Sequence, residues 1–78
     1  MIVFTLHVLA RMKQREISRD EVIMAIKSPD SVTNDKLGHS IAQLQMNDHI
    51  LRVFFVERDG NTIVITAYSS SKTKYMTG

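Results

Sequence analysis

The stretch "LRVFFVERDGNTIVITAY", residues 51–68, sets two apolar runs on either side of a strong turn signal. Successive side chains of a strand point to opposite faces, so the loop length decides which residues of the two runs lie together. A two-residue Asp59-Gly60 loop groups Arg52 with Ile65 and Ala67 and sets Tyr68 beside Leu51 and Val53, which mixes polar and apolar groups on both faces. A three-residue loop, Arg58-Asp59-Gly60 with a left-handed Gly60 in a bulge, collects Leu51, Val53, Phe55, Ile63, Ile65 and Ala67 on one wholly apolar face. The second register is therefore expected. It leaves Arg52, Phe54, Val64, Thr66 and Tyr68 on the other face, a mixture of apolar bodies and polar tips suited to meeting a ligand.

Upstream of this hairpin, "NDKLG" (34–38) and "NDH" (47–49) divide the chain from Val32 onward into further short strands. Between them "HSIAQLQMN" (39–47) sends Ala42, Leu44 and Met46 to one side and His39, Gln43 and Gln45 to the other, with Ile41 as the large apolar exception. Three or four antiparallel strands account for this half.

The first half is helical. Thr5 is a candidate cap for a helix from Leu6 to about Glu16, with Leu6, Leu9 and Ala10 on its apolar face and Val8 and Met12 at the flank. Ser18 followed by Glu21 spells a capping box, and Ile17 against Val22 a hydrophobic staple, for a second helix. Pro29 disfavours helical geometry in the residue before it, so this helix stops near Ser28. The fold class that follows is α+β, with two N-terminal helices packed on one face of a three- or four-stranded antiparallel sheet and the other face open.

With 78 residues, the chain 1–78 makes a single domain. It has no cysteine, which excludes disulfides, thiolate metal sites and cysteine catalysis. No run approaches the roughly 18 apolar residues of a membrane span. The apolar opening "MIVFTLHVLA" (1–10) lacks the charged start and cleavage site of a secretory signal, so a cytoplasmic protein without membrane contact is expected. Residues 70–78 read as a flexible basic tail carrying Lys72, Lys74 and Tyr75. The net charge of +2 permits an anionic partner without demanding one, which puts the weight on clustering.

Such a cluster exists in "HVLARMKQREIS" (7–18), where His7, Arg11 and Arg15 form an i, i+4, i+8 stripe. Neither arginine has an acidic residue three or four positions away, and like charges at this spacing cost on the order of 0.2–0.5 kcal/mol. Compensation must be tertiary or external. Asp30, Asp35 or Glu57 could pair with the stripe across the fold, with His7 hydrogen-bonded at the core edge. Alternatively, the guanidinium forks hold phosphate oxygens.

The stretches "HVLARMKQREIS" (7–18), "DEVIMAIKSPD" (20–30), "LRVFFVE" (51–57), "VITAY" (64–68) and "KTKY" (72–75) follow in order a pattern similar to that of the domain-of-unknown-function 4258 family. Valine at position 8 stands where that family usually has alanine. The resemblance implies kinship with the RelE/ParE-like and BrnT-like toxins of bacterial toxin-antitoxin modules. It further implies a RelE-like domain whose open sheet face binds, and in many relatives cleaves, RNA. The positions that match are His7, Arg11, Arg15, Arg52, Tyr68, Lys74 and Tyr75.

RNA cleavage by its own 2′-hydroxyl needs a base, an acid and positive charge at the phosphorane, and no metal or cofactor. In this sequence His7 or Tyr68 would exchange protons and Arg52 would stabilise charge. Arg11, Arg15, Lys72 and Lys74 would hold phosphates, and Phe54 or Tyr75 would stack on a base. The expectation is a toxin-like endoribonuclease acting on RNA, with ribosome-bound mRNA among its targets and a cognate antitoxin as its protein partner. The alternative is a non-catalytic protein-binding module or homodimer that uses the same amphipathic face. His7, His39 and His49 show no ligand spacing for a metal.

Overall fold

The computed structural model describes residues 1–71. The element order is β1 (Ile2–Phe4), α1 (Leu6–Gln14), α2 (Arg19–Lys27), β2 (Ser31–Asn34), β3 (Ser40–Gln45), β4 (His49–Arg58) and β5 (Asn61–Ser71). The fold class is α+β, but the sheet is five-stranded and mixed, in the order β1-β5-β4-β3-β2. The expected antiparallel strands are present; the additional strand is β1, which pairs parallel to β5 through Ile2↔Thr62, Val3↔Ile63 and Phe4↔Val64. Hairpin signals reveal antiparallel neighbours joined by a turn, whereas this pairing joins the two ends of the fold. Three apolar residues before a helix cap carry no local mark of it.

Both helices start where their caps place them. The Thr5 hydroxyl accepts the Val8 N–H at 3.1 Å and opens α1. In α2 the capping box is complete, with the Glu21 N–H donating to Ser18 Oγ at 3.1 Å and the Ser18 N–H donating to Glu21 Oε1 at 2.9 Å. The helix ends at Ser28, before Pro29. At the end of α1, Glu16 adopts the left-handed region (φ 57°), and the Ile17 N–H returns to the Met12 carbonyl at 2.8 Å. This closure directs the chain into α2 after only a few residues and places Ile17 in the core.

The Ser18 N–H bond is the foremost reason that the Glu21 carboxyl titrates below the ordinary glutamate range, with the Ser18 hydroxyl and His49 adding to it against partial desolvation. A lowered carboxyl stabilises the fold above the unfolded pKa, about 4.3, and that contribution is lost as the pH falls through the folded value. Glu21→Gln keeps a capping amide but removes the titration, so its urea midpoint falls less than that of the wild type between pH 5 and pH 3. An identical fall in both proteins would show that the carboxylate is uncoupled from folding.

The core lies between the two helices and one sheet face. It comprises Val8 and Met12 of α1, Ile17 of the connection, Val22 and Ala25 of α2, and Ala42, Leu51, Val53, Phe55, Val64 and Ala67 of the strands. This corrects the face expected of α1: Leu6 is 87 % exposed and Ala10 is exposed, while Val8 and Met12 are buried. Apolar residues surround so much of this short helix that periodicity alone does not choose the buried side. The strand before it and the closure after it do.

The β4–β5 hairpin departs from both regular registers. Its loop has two residues, with Arg58 opposite Asn61 and with Asp59 (φ 53°) and Gly60 (φ 78°) both left-handed, the pattern of a type I′ turn. The bulge sits inside the ladder instead of at the loop. Phe55 faces Val64 and Phe54 faces Thr66, so Ile65 is the extra residue. Accordingly Val64 is buried rather than on the open face, whereas Ile63 is only half-buried and Ile65 is 37 % exposed. Beyond the bulge the expected faces hold, with Leu51, Val53 and Ala67 inside and Arg52, Phe54, Thr66 and Tyr68 on the face without helices. β5 continues through Ser70 and Ser71, where the tail was expected to begin.

Candidate nucleic-acid interface

The open face is organised by register. Arg52 lies opposite both Tyr68 on β5 and Gln43 on β3, and Phe54 lies opposite Thr66 and Ile41. The Arg52 Nε donates to Gln43 Oε1 at 3.0 Å, which orients the guanidinium along the sheet. The rings of Phe54 and Tyr68 meet edge to face, with centroids 5.8 Å apart. Tyr68 keeps 45 % of its surface exposed.

Arg15 joins this group from outside the sheet. Because β1 covers β5 only as far as Val64, no strand among the described residues lies on the outer side of β5 beyond that point, and the end of α1 lies there. Arg15 Nη1 donates to Thr66 Oγ1 at 3.2 Å and to the Ala67 carbonyl at 3.1 Å, and its guanidinium carbon stands 4.5 Å from the centre of the Tyr68 ring. The open edge and the cation–π stack are thus served by one side chain. No carboxylate of the described residues forms an ion pair with Arg15.

Helix geometry explains which members of the His7, Arg11, Arg15 stripe reach the sheet. At about 100° per residue, positions four apart drift by about 40°, so the stripe winds around α1. Val8, Met12 and Arg15 stand at i, i+4 and i+7, which places Arg15 on the buried side, while Arg11 and His7 lie progressively farther round and are exposed. His7 also stands eight residues before Arg15, roughly 12 Å along the axis. Among the described residues its side chain forms no hydrogen bond or ion pair, and the hydrogen-bonded core-edge role does not arise. The structure brings together Arg15, Arg52, Phe54 and Tyr68; it does not join His7 or Arg11 to them. Lys72, Lys74 and Tyr75 lie outside the described residues.

The acidic residues considered as partners for the stripe are occupied elsewhere. Asp35 Oδ1 accepts the N–H groups of Leu37 and His39, and its Oδ2 meets His39 Nδ1 at 3.0 Å. Asp30 accepts the Gln45 N–H, and Glu57 the Thr62 hydroxyl. His49 lies between Asp48 and Glu21 at the far end of β4. Gln43 and Thr66, the polar partners that fix the two arginines, had no assigned role in the sequence. Their signal is that each stands between two apolar residues, Gln43 between Ala42 and Leu44 and Thr66 between Ile65 and Ala67.

The architecture defines a two-layer α+β domain with a helix-covered sheet face and an open face bearing two arginines and two aromatic rings. The family model described as Domain of unknown function (DUF4258) matches residues 4–69, and the chain belongs to that family. No curated protein and no solved structure matches it. No helix among the described residues is long and apolar enough to cross a membrane.

Proposed function

We propose that the open sheet face binds single-stranded RNA and that the protein is a RelE-like toxin whose activity is exercised on that face. The observation that carries this reading is Arg15, drawn round the edge of β5 onto Tyr68 beside Arg52, with a hydroxyl and a carbonyl as its fixed partners. Nη1 is engaged there while other guanidinium N–H groups remain to address phosphate oxygens, and rings at the same place offer a stacking platform. A broad, open sheet face suits unpaired bases better than a duplex, whose bases are hidden from such a surface. Phosphorane charge falls to Arg52 and Arg15, and proton exchange to the Tyr68 hydroxyl. A cognate antitoxin would act by covering this face.

Fluorescence anisotropy with a labelled single-stranded RNA and its duplex form tests the proposal. The wild type is expected to bind the single strand preferentially, and Arg52→Gln to weaken binding by about tenfold, the effect of one charge-assisted contact. Tightly induced expression in bacteria, with total RNA examined for new ends, extends the test to ribosome-dependent action. Absence of RNA binding at low salt together with normal growth at verified soluble levels would overturn the reading in favour of a protein-binding module.

A further inference from the structure

Two side-chain rows cross the open face at right angles to the strands. The pairings Tyr68↔Arg52, Arg52↔Gln43 and Gln43↔Ser31 run one row over β5, β4, β3 and β2, and Arg15 prolongs it beyond the β5 edge. The pairings Thr66↔Phe54, Phe54↔Ile41 and Ile41↔Thr33 run the next row beside it. Both rows lie on the open face, because Ala67, Val53 and Ala42, which alternate with their members, are buried beneath the helices. The first row holds both guanidinium groups and the Gln43 amide. The second is apolar at its centre, with Phe54 beside Ile41. Neighbouring strands stand about 4.8 Å apart, so each row is a continuous line of side chains.

Resting on the RNA reading above, we propose that the bound strand crosses the β-strands, with its phosphates on the Arg15–Tyr68–Arg52–Gln43 row and its bases over Phe54 and Ile41. The Ile65 bulge makes this alignment possible by setting Tyr68 opposite Arg52 while Ala67 stays in the core. Gln43 becomes a binding residue in its own right. Its Oε1 is taken by Arg52, which leaves the amide N–H groups to donate to a phosphate. At the β2 end the row stops at Ser31, next to Asp30, whose carboxylate opposes further phosphate contacts.

The ligand class is therefore a short single-stranded segment with two phosphates on two arginines, and salt dependence is its signature. Each neutralised phosphate of a single strand contributes about 0.7 to the slope of log K against log salt. The test measures binding of oligouridylates of three to six nucleotides by the wild type, Arg15→Gln, Arg52→Gln, Gln43→Ala and Lys27→Gln, each verified as folded by circular dichroism. Arg15→Gln and Arg52→Gln are each expected to reduce the slope by about 0.7. Gln43→Ala should lower affinity several-fold at an unchanged slope. Lys27→Gln removes the same charge from an exposed position of α2 and is expected to leave the slope unaltered. Should Arg15→Gln keep the wild-type slope, or Gln43→Ala keep the wild-type affinity, the crossing path fails while RNA binding stands. If the wild type binds no oligouridylate at low salt, the RNA reading itself fails.

Discussion

Leu51→Ala is expected to remove about 2–5 kcal/mol of stability, while Ile65→Ala removes less than about 1 kcal/mol. Both positions belong to the apolar runs of the same hairpin, and a regular ladder with a three-residue loop would bury them alike. In the structure Leu51 is fully buried within the core cluster, and Ile65 is the extra residue of the bulge and partly open to solvent. Truncating Leu51 loses its transfer free energy and leaves a cavity between sheet and helices that a small core cannot close. For a chain of 78 residues the whole stability is about 4–12 kcal/mol, so this one substitution takes a large share of it. Urea unfolding of both variants provides the check. A markedly lower midpoint for Leu51→Ala and a near wild-type midpoint for Ile65→Ala are the expected results. Equal losses would mean that Ile65 is packed as deeply as Leu51 and that the bulge is misplaced.

That pair of substitutions also marks where the sequence stopped being informative. Ser18 with Glu21, Thr5 and Pro29 act within a few residues of themselves, and each is found in the role its local chemistry suggests, whereas the three-residue loop expected at Arg58-Asp59-Gly60 is a two-residue turn. The bulge at Ile65 has no such signature, since "TIVITAY" contains no glycine or proline to announce it. Its cause is tertiary. A two-residue turn fixes one parity near the loop, Ala67 and Val53 require the other parity beneath the helices, and one extra residue reconciles them. β1 was hidden for a related reason, because its parallel partner lies some sixty residues away.

The candidate site was legible in the same uneven way. Arg52, Phe54 and Tyr68 share the open face because alternation past the bulge is as the sequence suggests. The His7, Arg11, Arg15 stripe was visible as a pattern, but its three members are not equivalent. Only the choice of Val8 and Met12 as the buried side reveals that Arg15 belongs with them and that His7 points elsewhere. That choice needed the packed structure. Among the described residues, the titratable group beside Arg15 and Arg52 is therefore the Tyr68 hydroxyl, and His7 is not among its neighbours.

Tyr68→Ala is expected to have the largest effect on RNA binding, a loss of about 100-fold. The ring supports Arg15 at 4.5 Å and meets Phe54 edge to face, so its removal deprives one arginine of its seat and Phe54 of its neighbour. The displaced arginine loses a charge-assisted contact, and Phe54, on which a base stacks for about 1–3 kcal/mol, loses the ring that holds it in place. The loss of stability should be smaller than that of Leu51→Ala, because the side chain is nearly half exposed while Leu51 is fully buried. Tyr68→Phe keeps the ring and loses the hydroxyl, so its affinity falls far less than that of Tyr68→Ala. If the protein cleaves RNA through this group, Tyr68→Phe still binds but yields no new RNA ends in expressing cells, because binding needs the ring and proton exchange needs the oxygen. Equal binding by Tyr68→Ala and the wild type would remove the open face from consideration as the RNA site. Cleavage by Tyr68→Phe at the wild-type rate would assign the proton transfer to another residue while leaving the binding face intact.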